Sequence, residues 1–473
     1  MRVALCLLLL LAPAAAQPLP ELKKAAEAEI AALKDDIRHI SMELWKLSET
    51  ALKERRSAEM LIRYLEKQGF QVERNVAGMP TAFVAAYGRG RPIIGVLAEY
   101  DALPGVGNKP EPRKAARDDG VTSGHGCGHN LFAAGSVAAA VAMRRVMEKH
   151  GLAGTVRLYG TPAEETLIGK VYMAKAGVFD DLDAALEWHP STKTKVRNQP
   201  GRAMNNFEVE FFGQAAHASG DPWNGRSALD AVELMNHAVN MMREHVKPTA
   251  RIHYVIPNGG DAPNVVPEYA KVWYYVRDVD RPAVEREYDW ILKIAEGAAM
   301  ATRTTHKVHL IAGVHEYNLN RPLQEAMQKN LEAVGVPKFT DEEQTFAKKL
   351  QEFLKVETKG FDTKLYPLKP EPEPVEGGST DVAEVSYIVP TVGLQVTTAA
   401  AEIPWHSWAT TACHGTEAGV KGAVVAAKVL ALTGIDLLVD AELREKAKEF
   451  FLEKTGGKPY QCPIPKDQKP PLP

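Results

Sequence analysis

Residues 124–130 read GHGCGHN and set Cys127 and His129 two positions apart between glycines. A thiolate and an imidazole at that spacing can bind one divalent ion, and glycines let the backbone curl closely around it. Two ligands do not complete a site. Further donors lie downstream: Glu164 and Glu165 in YGTPAEE, His189 in LEWHP and His406 in PWHSW. Together they supply soft and hard ligands and leave one carboxylate spare for base chemistry, the outline of a hydrolase with one or two metals. Each piece alone has a plainer reading. GHGCGH suits a tight turn around a buried cysteine, and His406 suits an aromatic cluster with Trp405.

Outward from this stretch, the pattern is that of an open α/β sheet. Apolar runs at 81–87, 92–98, 155–159 and 184–188 read as strands. The second ends in EYDALPG, the third in GTPAEE and the fourth at His189, so the chemistry recurs at strand ends, where such folds carry it. The small-residue segment after Asn130 reads as a helix packed on the sheet. Residues 19–35 and 36–69 read as helix, the latter without interruption. From Arg202 the order changes to strand 205–212, a helix in RSALDAVELMNHAVNMMREHV, strands 252–256 and 270–276, helix 282–300 and strand 306–312. That β-α-β-β-α-β order is ferredoxin-like. Residues 321–359 read as mostly helical, 367–378 as a Pro/Glu loop, 392–397 as a strand, 417–433 as a small-residue helix and 437–455 as helical, followed by a Lys/Pro-rich arm from Gly456.

The series EYDALPG, SGHGCGHN, YGTPAEE, EWHP, GQAAHAS, NVVPE and PWHS, in this order over about residues 22–436, resembles the M20 metallopeptidase family. Within it the amidohydrolase branch is most similar, and the spellings GHGCGHN and STDVAEVS are those of proteins like the B-subunit of aminobenzoyl-glutamate hydrolase. The resemblance implies a mixed-sheet α/β catalytic domain with an inserted ferredoxin-like α+β lid that also serves in dimerisation. The expected division is 1–16 leader, 17–201 catalytic domain, 202–314 lid, 315–440 catalytic domain resumed and 441–473 C-terminal extension.

The resemblance also implies two divalent ions per subunit, zinc or manganese, held by Cys127, His129, Glu165, His189 and His406. Glu164 would be the general base on metal-bound water. His217 in GQAAHAS would polarise the substrate carbonyl, reaching a partner subunit's site in dimeric relatives. Asn264 and Arg277 would hold the substrate carboxylate, a guanidinium offering bidentate pairing. For Arg277 a strand-end salt bridge is an equal reading. Asp101 and His125 are expected behind the ligands, Asp381 in a structural role, and His414 as the substitute should His406 not bind. Trp405, Trp408 and Trp223 are candidates for an aromatic acyl pocket.

The implied reaction is hydrolysis of the amide of an N-acyl or N-aroyl amino acid such as aminobenzoyl-glutamate. A general dipeptidase, an aliphatic N-acyl-amino-acid deacylase and a non-catalytic exported binding subunit are the alternatives. A homodimer through the lid is expected, a heterodimer being the alternative. With 57 Lys+Arg against 60 Asp+Glu, scattered, the chain carries no nucleic-acid footprint. MRVALCLLLLLAPAAAQ reads as a secretory leader cleaved before Gln17, giving an exported product, periplasmic in a Gram-negative cell. No later stretch reads as a membrane span. The leader contains Cys6. Cys413 and Cys462 could pair after export, or Cys413 could stay buried and reduced.

Overall fold

The computed structural model describes residues 18–473. The expected leader, with Cys6, lies outside the described residues. The catalytic part opens with helices α1 (Leu19–Ala32), α2 (Lys34–Leu47) and α3 (Arg55–Lys67), then strands β1 (Gln71–Arg74), β2 (Phe83–Arg89) and β3 (Ile93–Ala98). Helix α4 (His129–His150), β4 (Gly154–Gly160), α5 (Gly169–Lys175), β5 (Ala184–Ser191) and β6 (Lys195–Val196) follow. The lid comprises β7 (Ala203–Phe212), α6 (Ala228–Met242), β8 (Arg251–Asn258), β9 (Tyr269–Asp278), α7 (Arg281–Thr302) and β10 (Thr305–Val314). The chain then returns through α8 (Arg321–Val334), α9 (Asp341–Leu354), α10 (Val382–Ser386), β11 (Thr391–Thr397), α11 (Trp408–His414), α12 (Glu417–Val439) and α13 (Ala441–Thr455).

The larger sheet has the order β1-β2-β4-β3-β5-β11-β6 and is mixed. Its centre, β4-β3-β5-β11, is parallel, and its edges are antiparallel. Parallel strands must be covered on both faces. Helices α1, α2, α4 and α12 cover one face, and a second apolar cluster around Tyr159, Val171, Tyr172 and Phe179 covers the other. Small residues let the helices sit close. A Cβ on Gly135 of α4 would stand 2.9 Å from Trp188 Nε1, whose indole donates to Phe132 O at 3.0 Å. Helix α12 is long and apolar enough to cross a membrane by composition, yet 83% of that window is buried in this core.

The lid sheet runs β10-β7-β9-β8, antiparallel throughout, which is the ferredoxin-like split β-α-β arrangement. Helices α6 and α7 pack on one face around Phe207, Val232 and Tyr274. The other face is left to the cleft below.

Two helical expectations need correction. The segment 36–69 is broken: α2 stops at Ser48 in a left-handed conformation (φ 42°), its hydroxyl donating to Trp45 O, and residues 48–54 turn toward the site before α3. The segment 321–359 is mostly helical as expected, with a break at Gly335 (φ 82°) after which α9 starts on a Thr340–Glu343 capping box. The last small-residue helix runs on to Val439, and Asp440 then caps α13. Cys413 is buried and unpaired, and Cys462 is also free.

The arm after Gly456 packs across the junction between the two parts. Ile464 is buried there, and β10 has a bulge between Leu310 and Ala312. Gln468 Nε2 donates to Leu310 O at 2.6 Å and lies 3.2 Å from Ile311 O, while Lys175 Nζ donates to Gln468 O. Gln468→Ala strips partners from bulge carbonyls and is expected to cost about 1–3 kcal/mol. A denaturant titration reads this as a lower midpoint; an unchanged midpoint would show that solvent replaces the amide.

Candidate metal centre

Gly128 begins α4 in the left-handed region (φ 84°), and a Cβ there would meet Pro190 at 2.7 Å. Only glycine suits that backbone and that space. It turns the chain so that Cys127 and His129 face the end of β5. Cys127 Sγ stands 3.3 Å from His189 Nε2. On the far side Glu165 and His406 approach, with His406 Nε2 3.5 Å from Glu165 Oε2. Two triads of the expected donors share the thiol, Cys127–His129–His189 and Cys127–Glu165–His406, and a third group, Glu99–His129–Glu164, shares His129; within each the atoms lie within 4.8 Å of one another.

Backbone strain sets the two glutamates apart. Ala163 (φ 57°) and Leu167 (φ 58°) are left-handed on either side of the 3₁₀ turn Glu164–Thr166. Ala163 N donates to Glu54 Oε1 at 2.9 Å, so the unforeseen loop before α3 holds this turn. Burial, with Asp101 adding, pushes the Glu54 carboxyl up to about 8. His406 is also left-handed (φ 53°), on a half-exposed loop.

Asp101 ties the halves together. Its Oδ1 accepts from His129 Nδ1 at 2.9 Å and its Oδ2 from Glu165 N at 2.9 Å. His189 donates from Nδ1 to Pro190 O at 2.7 Å. Both rings therefore present Nε2 to the cluster, the arrangement by which a second partner fixes a ligand's tautomer. His414 donates from Nδ1 to His125 O at 2.8 Å and meets Thr398 Oγ1 through Nε2. His125 donates to Leu44 O at 3.0 Å. These two rings brace the glycine loop from behind.

A series of matches in known proteins fits this geometry. The model of peptidase family M20/M25/M40 matches residues 95–402. The chain belongs to this family. It is 38% identical over 456 residues to the B-subunit of p-aminobenzoyl-glutamate hydrolase from Escherichia coli, covering 91% of this chain and 95% of that protein. It is 30% identical over 452 residues to the mouse Xaa-Arg dipeptidase, covering 91% and 92%. The crystal structure of a dinuclear metal-binding M20 peptidase from Bacillus subtilis superposes with a TM-score of 0.54 at 20% identity, covering 85% of this chain and 99% of that one. This M20 chain is a metal-dependent hydrolase with a candidate dinuclear centre.

The charge balance of the centre fits cations. His129 Nε2 and Glu165 Oε1 are buried without a hydrogen-bond partner. Burial, aided by Glu99, raises the Glu164 carboxyl well above its usual range, and burial with Asp101 and Glu99 takes Glu165 to about 8. Burial also raises the Cys127 thiol. Burial and His129 hold His189 and His406 below the usual imidazole value, in the neutral ligand form. These groups need nearby positive charge to ionise together.

Glu164 lies beside the first triad, its Oε2 3.8 Å from His129 Nε2. Arg277 faces the same cleft, of about 930 Å³, stacked over Tyr275 and without the alternative salt bridge. Trp405 lines it too, whereas Trp408 packs on Phe353 and Trp223 stands 71% exposed on the lid. His217 and Asn264 do not meet the cluster of their own chain. They are neighbours on lid loops, where Ala218 N donates to Asn264 O and His217 bridges Val265. Ser219 N and Gly220 N both donate to His217 Nδ1, which leaves the proton on an outward Nε2.

Sequence reasoning passed over Glu99 and Lys170. Lys170 Nζ, fully buried, is 2.7 Å from Glu99 Oε1 and 2.6 Å from Asp381 Oδ1, and Glu99 Oε2 is 3.2 Å from His129 Nε2. The available signal was a lysine, Lys170, followed at once by the apolar run VYMA in the short helix GKVYMAK, whose other lysine, Lys175, ends the helix. Lys170→Met would strand two buried carboxylates and is expected to destabilise the fold by about 3–5 kcal/mol. Urea unfolding checks it, and a variant as stable as the parent would refute the pairing.

Proposed function

We propose that the protein hydrolyses the amide bond of N-acyl or N-aroyl amino acids, p-aminobenzoyl-glutamate among them. The observation that carries the reading is the position of Glu164, beside a two-triad centre and at the floor of a cleft that also holds Arg277. The similarity to the B-subunit of p-aminobenzoyl-glutamate hydrolase over nearly the whole chain supports it. Zinc or manganese ions held by Cys127, His129, Glu165, His189 and His406 would polarise the scissile carbonyl and make the attacking water more acidic. Glu164 takes the proton of the attacking water as the C–O bond forms. It returns that proton to the amide nitrogen as the C–N bond breaks. Arg277 holds the carboxylate of the departing amino acid.

The lid completes the site across a homodimer. Its edge strand β8 exposes Val255 and Ile256, and Val265 is exposed beside Asn264. An unpaired edge with apolar side chains is a surface for a second copy. His217 and Asn264 then serve the partner's cleft, His217 as an Nε2–H donor to the developing oxyanion. A different partner subunit is the alternative occupant. The leader sends the product out of the cytoplasm. The second reading is a dipeptidase on the same scaffold, favoured by the similarity to the Xaa-Arg dipeptidase.

The test is release of amino acid by metal-reconstituted protein from p-aminobenzoyl-glutamate, hippurate, an indole-acetyl-amino acid and simple dipeptides. Turnover of an acylated amino acid is expected, and turnover of dipeptides alone would replace this reading by the second. Glu164→Gln should lower kcat by on the order of 10²–10⁴-fold. Analytical ultracentrifugation should give twice the chain mass, and His217→Ala should lower kcat without changing that mass. A fully active monomer would remove His217 from the mechanism.

A further inference from the structure

One cation suffices for the α-carboxylate that every N-acyl amino acid carries. The cleft holds more. Arg277 on β9 lies directly opposite Arg251 on β8 and next to Met204 on β7, while His253 on β8 lies opposite Tyr275. Arg202, two residues before Met204, lines the same cleft. Three guanidinium groups, two on adjacent strands and Arg202 just before β7, are thus gathered at one end of the lid face.

Among the described residues none of the three has a carboxylate partner. Arg202 donates to Thr249 O at 2.6 Å and lies 3.4 Å from Val375 O. Arg251 donates to Pro248 O and Ala250 O through one nitrogen only. Arg277 Nε is buried without any partner. By contrast Arg197, also in the cleft, is taken by Glu187 at 2.9 Å. The one acid of the cleft outside the metal cluster, Glu376, is exposed. Like charges directly opposite on neighbouring strands destabilise a sheet. Burial lowers the Arg277 pKa and Arg202 lowers it further; His253 is lowered by burial, then by Arg277, Arg243 and Arg251. The cluster is an anion site awaiting more negative charge than one carboxylate brings, and it repels a cationic side chain.

We propose that Arg251, with His253 beside it, is the specificity-determining contact for a second carboxylate, so that the amino acid released is dicarboxylic. Arg277 takes the α-carboxylate, and Arg251 takes the side-chain carboxylate through the nitrogens it leaves free. This rests on the amidohydrolase reading, and it adds the residue that selects the leaving group.

The experiment compares N-benzoyl-glutamate with its neutral isostere N-benzoyl-glutamine on metal-reconstituted protein. The parent should prefer glutamate by at least about tenfold in kcat/KM, carried mainly by KM, the scale of one charge-assisted hydrogen bond. Arg251→Gln should erase most of that preference while leaving the glutamine compound nearly unchanged, and Arg251→Lys should restore part of it. Arg251 is exposed and tied only to local carbonyls, so the variants keep the fold. Equal rates on both compounds in the parent, or an equal loss on both in the variant, would overturn the proposal while leaving the amidohydrolase reading intact. Hydrolysis of neither compound, nor of any acylated amino acid in the panel above, would refute that reading instead. Calorimetric binding of the same pair then decides the proposal: a glutamate preference lost in Arg251→Gln supports it, and equal affinities overturn it.

Discussion

Both oxygens of Asp101 are committed, one to the ring of His129 and the other to the backbone of Glu165. This carboxylate joins the two loops that carry the metal donors, and the rest of the site depends on that joint. It fixes the tautomer of His129, so that Nε2 faces the cluster, and it holds the strained turn in which Glu164 and Glu165 diverge. The sheet brings Asp101 to its place. It follows β3, the central parallel strand flanked by β4 and β5, so the loops after three adjacent strands converge at one edge.

Behind that joint the centre is rich in buried negative charge. Lys170 offsets part of it by binding Glu99 and Asp381. The remainder, on Cys127, Glu164 and Glu165, is left for metal ions. The same logic with the sign reversed operates on the lid, where guanidinium groups accumulate without carboxylates. The cleft thus has two walls of opposite character, an acidic catalytic floor and a cationic lid face.

Much of this was legible in the residues because it was local. Strand ends bearing EYDALPG, GTPAEE and EWHP mark the edge of an open sheet, and the order of elements after Arg202 marks the inserted ferredoxin-like unit. Other features were not local. Lys170 reads as an ordinary helix cation, and its burial arises only where α5, the end of β3 and the segment before α10 meet. The break after Leu47 carries no glycine or proline, and its cause is a tertiary contact, Glu54 on Ala163. The Arg251–Arg277 pair depends on strand register, which two separated strands do not announce in sequence.

Two triads sharing one thiol make the centre, and equilibrium titration of metal-stripped protein with zinc tests that arrangement most directly. The parent is expected to bind two equivalents per chain, with both affinities weakened together in Cys127→Ser. A single equivalent, or a substitution that weakens only one of two sites, would contradict the shared thiol.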